Sequence, residues 1–201
     1  MKMKKLIKNI INIFHSKLTH KLLIVFSFFY ISLAYLFFGK KLAFDAIRHL
    51  PGMSLPIVLK VFGATIGKNV SFDGGLCLQN VAPLKNLTIG NNVHIGKNCF
   101  LDLRDKITIS DNSTLSMHTK IITHIDMGKS ELSHLYTNKS QEVFLGKNVY
   151  VGISAILLKG VTIGSNSLVA AKSLVDKSFD ENSFIAGSPA EFKRKINLNS
   201  S

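Results

Sequence analysis

From Leu145 to Val175 an aliphatic residue recurs at every sixth position: Leu145, Val151, Leu157, Ile163, Val169 and Val175. An α-helix selects a spacing near 3.6 and a strand a spacing of 2, so neither is the organising unit of this stretch. The residue after each aliphatic is usually tiny (Gly146, Gly152, Gly164, Ala170), and the residue four places on is small or β-branched (Val149, Ala155, Val161, Ser167, Ser173). The same frame appears upstream as Ile89, Ile95 and Leu101, and again as Ile109, Leu115 and Ile121. A first copy sits at Ile66-Gly67-Lys68-Asn69-Val70.

A six-residue unit is a short strand plus a corner, and three units close a triangular coil of about 18 residues. Coils of this kind stack as parallel strands about 4.8 Å apart. Each aliphatic residue points inward, and the small residue beside it is expected to let the backbone turn tightly. A single coil has no core, so stability accumulates along the stack.

This pattern resembles the hexapeptide-repeat acyltransferases, whose fold is a left-handed parallel β-helix. The resemblance covers roughly residues 61–196 and is nearest to the branch of O-acetyltransferases that modify sugars. It rests on Gly146-Lys147-Asn148-Val149-Tyr150-Val151-Gly152, Gly160-Val161-Thr162-Ile163-Gly164 and Ala186-Gly187-Ser188-Pro189-Ala190. Parallel crossovers are right-handed as a rule, so the left hand follows from the resemblance and not from the spacing. The expected fold is mainly β: a basic, strongly apolar helical extension over 1–56, a β-helix over 57–196 with a catalytic loop at 122–142, and a tail at 197–201. A sugar nucleotidyltransferase shares the repeats but needs a preceding nucleotide-binding domain, for which residues 1–60 leave no room.

With 201 residues the chain holds one moderate domain and an appendage. Cys77 and Cys99 are its two cysteines, which excludes a disulfide framework and fits a reducing cytosol. The formal charge of +13 is uneven: residues 1–21 carry Lys2, Lys4, Lys5, Lys8, Lys17 and Lys21 with no acidic residue, and Lys193, Arg194 and Lys195 form a second cluster. No helix-turn-helix, RNP or zinc pattern accompanies this charge, so a membrane surface or a CoA phosphate is expected as its partner and nucleic acid is not.

Leu22 to Phe38 is a run of 17 uncharged residues fenced by lysines. A spanning helix usually needs about 20 apolar residues. If the segment spans with its six-lysine end inside, the positive-inside rule places the β-helix outside the cytoplasm, away from acetyl-CoA. A helix lying in the cytoplasmic leaflet keeps the enzyme beside its donor, and packing against the β-helix or a subunit interface is the third reading. The expected location is the cytoplasm, peripheral to or anchored in the inner face of the plasma membrane through residues 1–41. Gly39 to Pro56 reads as a linker and helix.

The frame holds through Ile121 and then gives way to Ile122-Thr123-His124-Ile125-Asp126-Met127-Gly128 and a polar stretch, resuming near Val143. Loops thrown out of a repeat carry function more often than packing. In the acyltransferases this chain resembles, a His in such a Thr-His segment is the general base, which identifies His124. Moving an acetyl group from a thioester to a sugar hydroxyl requires proton removal as the oxygen attacks, and an imidazole titrating near about 6.5 suits that task. No Ser or Cys nucleophile with a partnered base is evident, so direct attack is implied.

Asp102 occupies a slot where the repeat usually places glycine; it either presents its carboxylate to acceptor hydroxyls or forms an Asx turn at the two-residue slip between Leu101 and Ile109. Asp126 either orients the base or binds substrate. For the donor, the resemblance implies Ile153, Ser154, Ala171 and Lys177 along the pantetheine arm, with Lys193 or Arg194 on the nucleotide phosphates. Two segments depart from the family: Ala170-Ala171-Lys172-Ser173 replaces Gly-Ala-Gly-Ser, and Asp176-Lys177-Ser178 replaces Thr-Lys-Asp. A homotrimer with the donor groove between subunits, acetyl-CoA as donor and no metal is the expected assembly. Alternatives are an acetyltransferase acting on serine or another small molecule, or a trimeric zinc hydratase resembling γ-type carbonic anhydrase with His94, His118 and His124 as ligands. The six-residue spacing of His118 and His124 and the Ala-Gly-Ser-Pro-Ala segment count against the hydratase.

Overall fold

The computed structural model describes residues 17–79 and 84–198. Lys2, Lys4, Lys5 and Lys8, and the end of the 197–201 tail, lie outside the described residues. Two-to-three-residue strands wind round the predicted triangle and stack into three faces. The first face holds β1 (Thr65–Ile66), β4 (Leu87–Ile89), β7 (Ile107–Ile109), β12 (Val143–Leu145) and β15 (Thr162–Ile163). The second holds β2 (Ser71–Phe72), β5 (His94–Ile95), β8 (Thr114–Leu115), β13 (Tyr150–Val151) and β16 (Leu168–Val169), closed by the hairpin of β18 (Ser183–Gly187) and β19 (Ala190–Lys195). The third holds β3 (Cys77–Gln79), β6 (Phe100–Asp102), β9 (Lys120–Ile121), β14 (Ile156–Leu157) and β17 (Leu174–Val175).

Register puts like residues over one another. Ile66 pairs with Ile89, Ile89 with Ile109, Ile109 with Leu145 and Leu145 with Ile163, all buried. The first coil adds Phe72 and Leu78, also buried, in two slots the aliphatic frame did not include. Each buried aliphatic or aromatic side chain contributes about 1.5–3 kcal/mol of transfer free energy, which a lone coil could not collect.

The small residues work differently from the expectation. A Cβ on Gly152 would stand 2.5 Å from the Ala171 nitrogen, and one on Gly164 would stand 2.2 Å from the Glu181 nitrogen. Neither glycine has a positive φ. They are small because the next coil lies against them. The tight turn falls two residues later, on Asn69, Asn92, Asn98, Asn112, Asn148, Asn166 and Asn182, whose φ values run from 54° to 59°, and on His118, Ser154 and Lys172 between the second and third faces. Asparagine tolerates this left-handed conformation better than other side-chain-bearing residues. The amides also bond upward, Asn69 Nδ2 to Asn92 Oδ1 at 3.1 Å and Asn148 Nδ2 to Asn166 Oδ1 at 3.1 Å.

Before the first coil, α1 (Lys17–Asp45), broken at Gly39 with φ +77°, and α2 (Leu55–Val61) cap the open base of the stack. Ser27 Oγ donates to the Leu23 carbonyl at 2.7 Å and lies 2.9 Å from Ser54 Oγ. Phe28, Tyr35 and Phe44 gather round Phe62 with centroids 5.9–6.4 Å apart. One side of α1 therefore packs on Ser54 and Phe62, which flank α2 at the entry to the first coil.

Candidate active site

The corner after the third face is where the coils lose regularity. Inward residues are six apart at the other two corners, but Leu78 to Ile89 spans 11 positions, Leu101 to Ile109 spans 8 and Ile121 to Leu145 spans 24. The pairing of β9 with β14 nonetheless stays in register, Ile121 opposite Leu157, so the long excursion leaves the stack undisturbed. It departs as a ribbon, β10 (His124–Ile125) antiparallel to β11 (Lys139–Ser140), with a 3-10 turn at Glu131–His134 near its tip.

His124 stands at the root of this ribbon. Its Nδ1 lies 2.5 Å from Asp102 Oδ2, and the Asp102 side chain is 1 % exposed. The same carboxylate oxygen accepts from the Thr123 backbone N–H at 2.9 Å and lies 3.0 Å from Thr123 Oγ1. Asp102 Oδ1 accepts from the Arg104 N–H at 3.3 Å. A buried carboxylate is tolerable only when its oxygens are bonded in this way. The pairing also fixes the imidazole tautomer: Nδ1–H points at the carboxylate, and Nε2 keeps the lone pair that can take a proton.

Asp102 therefore does not offer its carboxylate to an acceptor, as one of its two expected roles required. It is enclosed and turned onto the His124 imidazole, the contact considered for Asp126. Asp126 instead receives the Arg104 guanidinium at 2.9 Å and the Gly128 N–H at 2.7 Å. The Gly128 hydrogen bond and then Arg104 hold its carboxyl below the ordinary carboxylate value. Asp126 so ties the root of the ribbon to the Asp102 to Lys106 turn. Thr123 and Arg104 received no role from the sequence; only the parallel register, which sets Asp102 beside the chain that follows Ile121, reveals them.

The residues expected to hold the donor are divided over the molecule. Ile153 and Ala171 are exposed at the corner between the second and third faces, in successive coils: the Ser154 N–H donates to the Met117 carbonyl at 3.1 Å and the Lys172 N–H to the Ile153 carbonyl at 2.9 Å. Lys177 is at the His124 corner, two coils further on, with its ammonium 5.9 Å from the centre of the Phe179 ring. In the terminal hairpin Lys193 pairs with Glu191 at 3.1 Å, and Arg194 lies over Phe184 at 5.2 Å. Within one chain His124 and the Ile153–Ala171 ridge thus occupy different corners of the triangle.

The three histidines weighed as metal ligands are dispersed. His94 Nδ1 lies 2.9 Å from Ser71 Oγ and its Nε2 lies 3.4 Å from Asp73; His118 forms a corner with φ 61°, and His124 faces Asp102.

Comparison with known proteins agrees with this geometry. Residues 86–117 and 141–177 match the family model described as the hexapeptide repeat of succinyl-transferase. The putative colanic acid biosynthesis acetyltransferase WcaF of Escherichia coli K12 is 30% identical over 133 residues, covering 66% of this chain and 70% of that protein. The chain belongs to the hexapeptide-repeat acyltransferases. The galactoside O-acetyltransferase of the same organism is 29% identical over 148 residues, 70% of this chain and 68% of its own. The structure of galactoside acetyltransferase in complex with coenzyme A superposes with a TM-score of 0.67 at 26% identity, over 77% of each chain. The protein is accordingly a CoA-dependent acyltransferase on a left-handed parallel β-helix, with acetyl-CoA as donor co-substrate.

Proposed function

We propose that this acyltransferase moves the acetyl group of acetyl-CoA to a hydroxyl of a sugar in a surface polysaccharide or its precursor, with His124 as general base. The observation that carries the reading is the His124–Asp102 pair at the interrupted corner. Nε2 takes the proton of the acceptor hydroxyl as its oxygen bonds to the thioester carbonyl carbon. Collapse of the tetrahedral adduct breaks the C–S bond, and the imidazolium returns its proton to the leaving thiolate. Asp102 keeps Nδ1 protonated throughout and offsets the positive charge that forms on the ring. A sugar acceptor is supported by relatives named for galactoside and colanic acid.

Separation of base and donor ridge onto different corners is the reason to propose a homotrimer, in which the His124 corner of one subunit meets the Ile153–Ala171 corner of the next. The exposed side chains of Leu132, Leu135 and Tyr136 on the ribbon would be covered in such a cleft. Thiol release from acetyl-CoA in the presence of galactosides and a panel of polysaccharide repeat units tests the reading. His124→Ala is expected to lower kcat by roughly 10²–10⁴-fold with little change in KM for acetyl-CoA. Full-rate transfer by that variant, or no transfer to any glycan by the wild type, would overturn it.

A further inference from the structure

A helix that is apolar on every side is covered either by protein or by lipid. Protein covers one stripe of α1: Ser27 and Ile31 are buried and Ile24 and Phe28 half-buried, with Ser27 against Ser54 and Phe28 against Phe62. The opposite side is open. Phe26, Phe29, Leu33, Leu36 and Phe37 lead it, with Leu36 75% and Phe37 71% exposed. Ile57 and Val61 of α2, on either side of Lys60, are exposed as well.

Charge indicates what covers this surface. The first 44 residues hold eight lysines and no acidic residue, and Lys17, Lys21, Lys40 and Lys41 bracket the apolar run. A second copy meeting this face across a twofold axis would set lysine against lysine. Anionic headgroups would instead neutralise those lysines while acyl chains receive the apolar side chains between them. The contacts of α1 also constrain its direction. A helix crossing the bilayer would have to leave Ser54 and the ring cluster around Phe62, whereas one lying flat keeps both.

We propose that α1 is an in-plane membrane anchor, its outer face embedded in an anionic leaflet and the base of the solenoid docked on the lipid surface. This stands independently of the acetyl acceptor. It leaves the candidate site open, because the strand before His124 is two coils above β3, about 10 Å at ~4.8 Å per coil.

Flotation of the full-length protein with phosphatidylcholine vesicles, with and without phosphatidylglycerol, tests the proposal. Binding is expected to the anionic vesicles, with at least about a tenfold loss in neutral vesicles or at high salt. Phe26→Glu/Phe37→Glu is expected to abolish flotation while leaving the thermal melt and thiol release unchanged. With Cys77 replaced by Ser, cysteines introduced as Lys21→Cys and Lys41→Cys on vesicle-bound protein should both react with an impermeant maleimide from the same side. Labelling from opposite sides would establish a spanning helix and overturn the in-plane reading. Absence of flotation, whether or not the double variant dissociates an oligomer, would overturn lipid docking altogether.

Discussion

Asp102 follows the inward-facing Leu101 at the corner after the third face, where the equivalent slots hold Gln79, Ile122, Leu158 and Asp176 rather than glycine. Asp102→Asn removes the charge that opposes the imidazolium and no longer specifies the Nδ1–H tautomer. We expect kcat to fall by about tenfold or more while KM for acetyl-CoA holds, with the loss traced to the base by NMR of the His124 ring. A purely structural role would lower the melting temperature and leave kcat per folded enzyme intact. At Asp126 the folded-state pKa is lowered, so its contribution to stability is present above the ordinary carboxylate value and is lost as pH falls through the depressed one. The Arg104–Asp126 tie should therefore survive mild acid, which a carboxyl-carbon NMR titration would check. Burial pushes the Cys99 thiol up to about 11, so Cys77 should take up a thiol reagent at neutral pH and Cys99 should not.

Elements in this fold are too short to hold themselves, and their stability lies in what stacks on them. Gly152→Ala places a methyl 2.5 Å from the Ala171 nitrogen and is expected to cost about 1–3 kcal/mol in chemical denaturation. Gly128→Ala is the informative control: a Cβ there meets nothing within 4 Å, and only the left-handed φ of +55° opposes it, at about 1 kcal/mol. Asn148→Ala should fall between, losing the left-handed preference and the 3.1 Å amide bond to Asn166 together. The ribbon carries little such support. Its residues from Lys129 to Glu142 are exposed, so it can adapt to a neighbour or an acceptor without strain on the coils.

At the scale of the whole molecule the proposed homotrimer sets His124 of one subunit against the Ile153–Ala171 ridge of the next. His124→Ala subunits and Ile153→Glu/Ala171→Glu subunits should each be inactive alone. Mixed and re-associated, they should recover thiol release, because some clefts then pair an intact His124 with an intact ridge. Sites complete within single chains would show no recovery. Light scattering should give three times the 22.2 kDa chain mass for the active species.

The six-residue period determined the solenoid and the places where it breaks after Leu101 and Ile121, because those inward slots are aliphatic and their spacing can be counted; it missed Phe72 and Leu78 of the first coil. His124 was legible for the same reason, standing where the count fails, with its role supplied by resemblance. The function of Asp102 was not, since its partner lies 22 positions on and is brought beside it only by parallel register. Nor could spacing tell that glycine serves close stacking while asparagine makes the turn: both sit in the same polar corner, and only the approach of the next coil separates a steric requirement from a torsional one. The apolar run likewise announced a helix without a partner for each side, and tertiary packing divided it into a face that grips the solenoid and a face that does not.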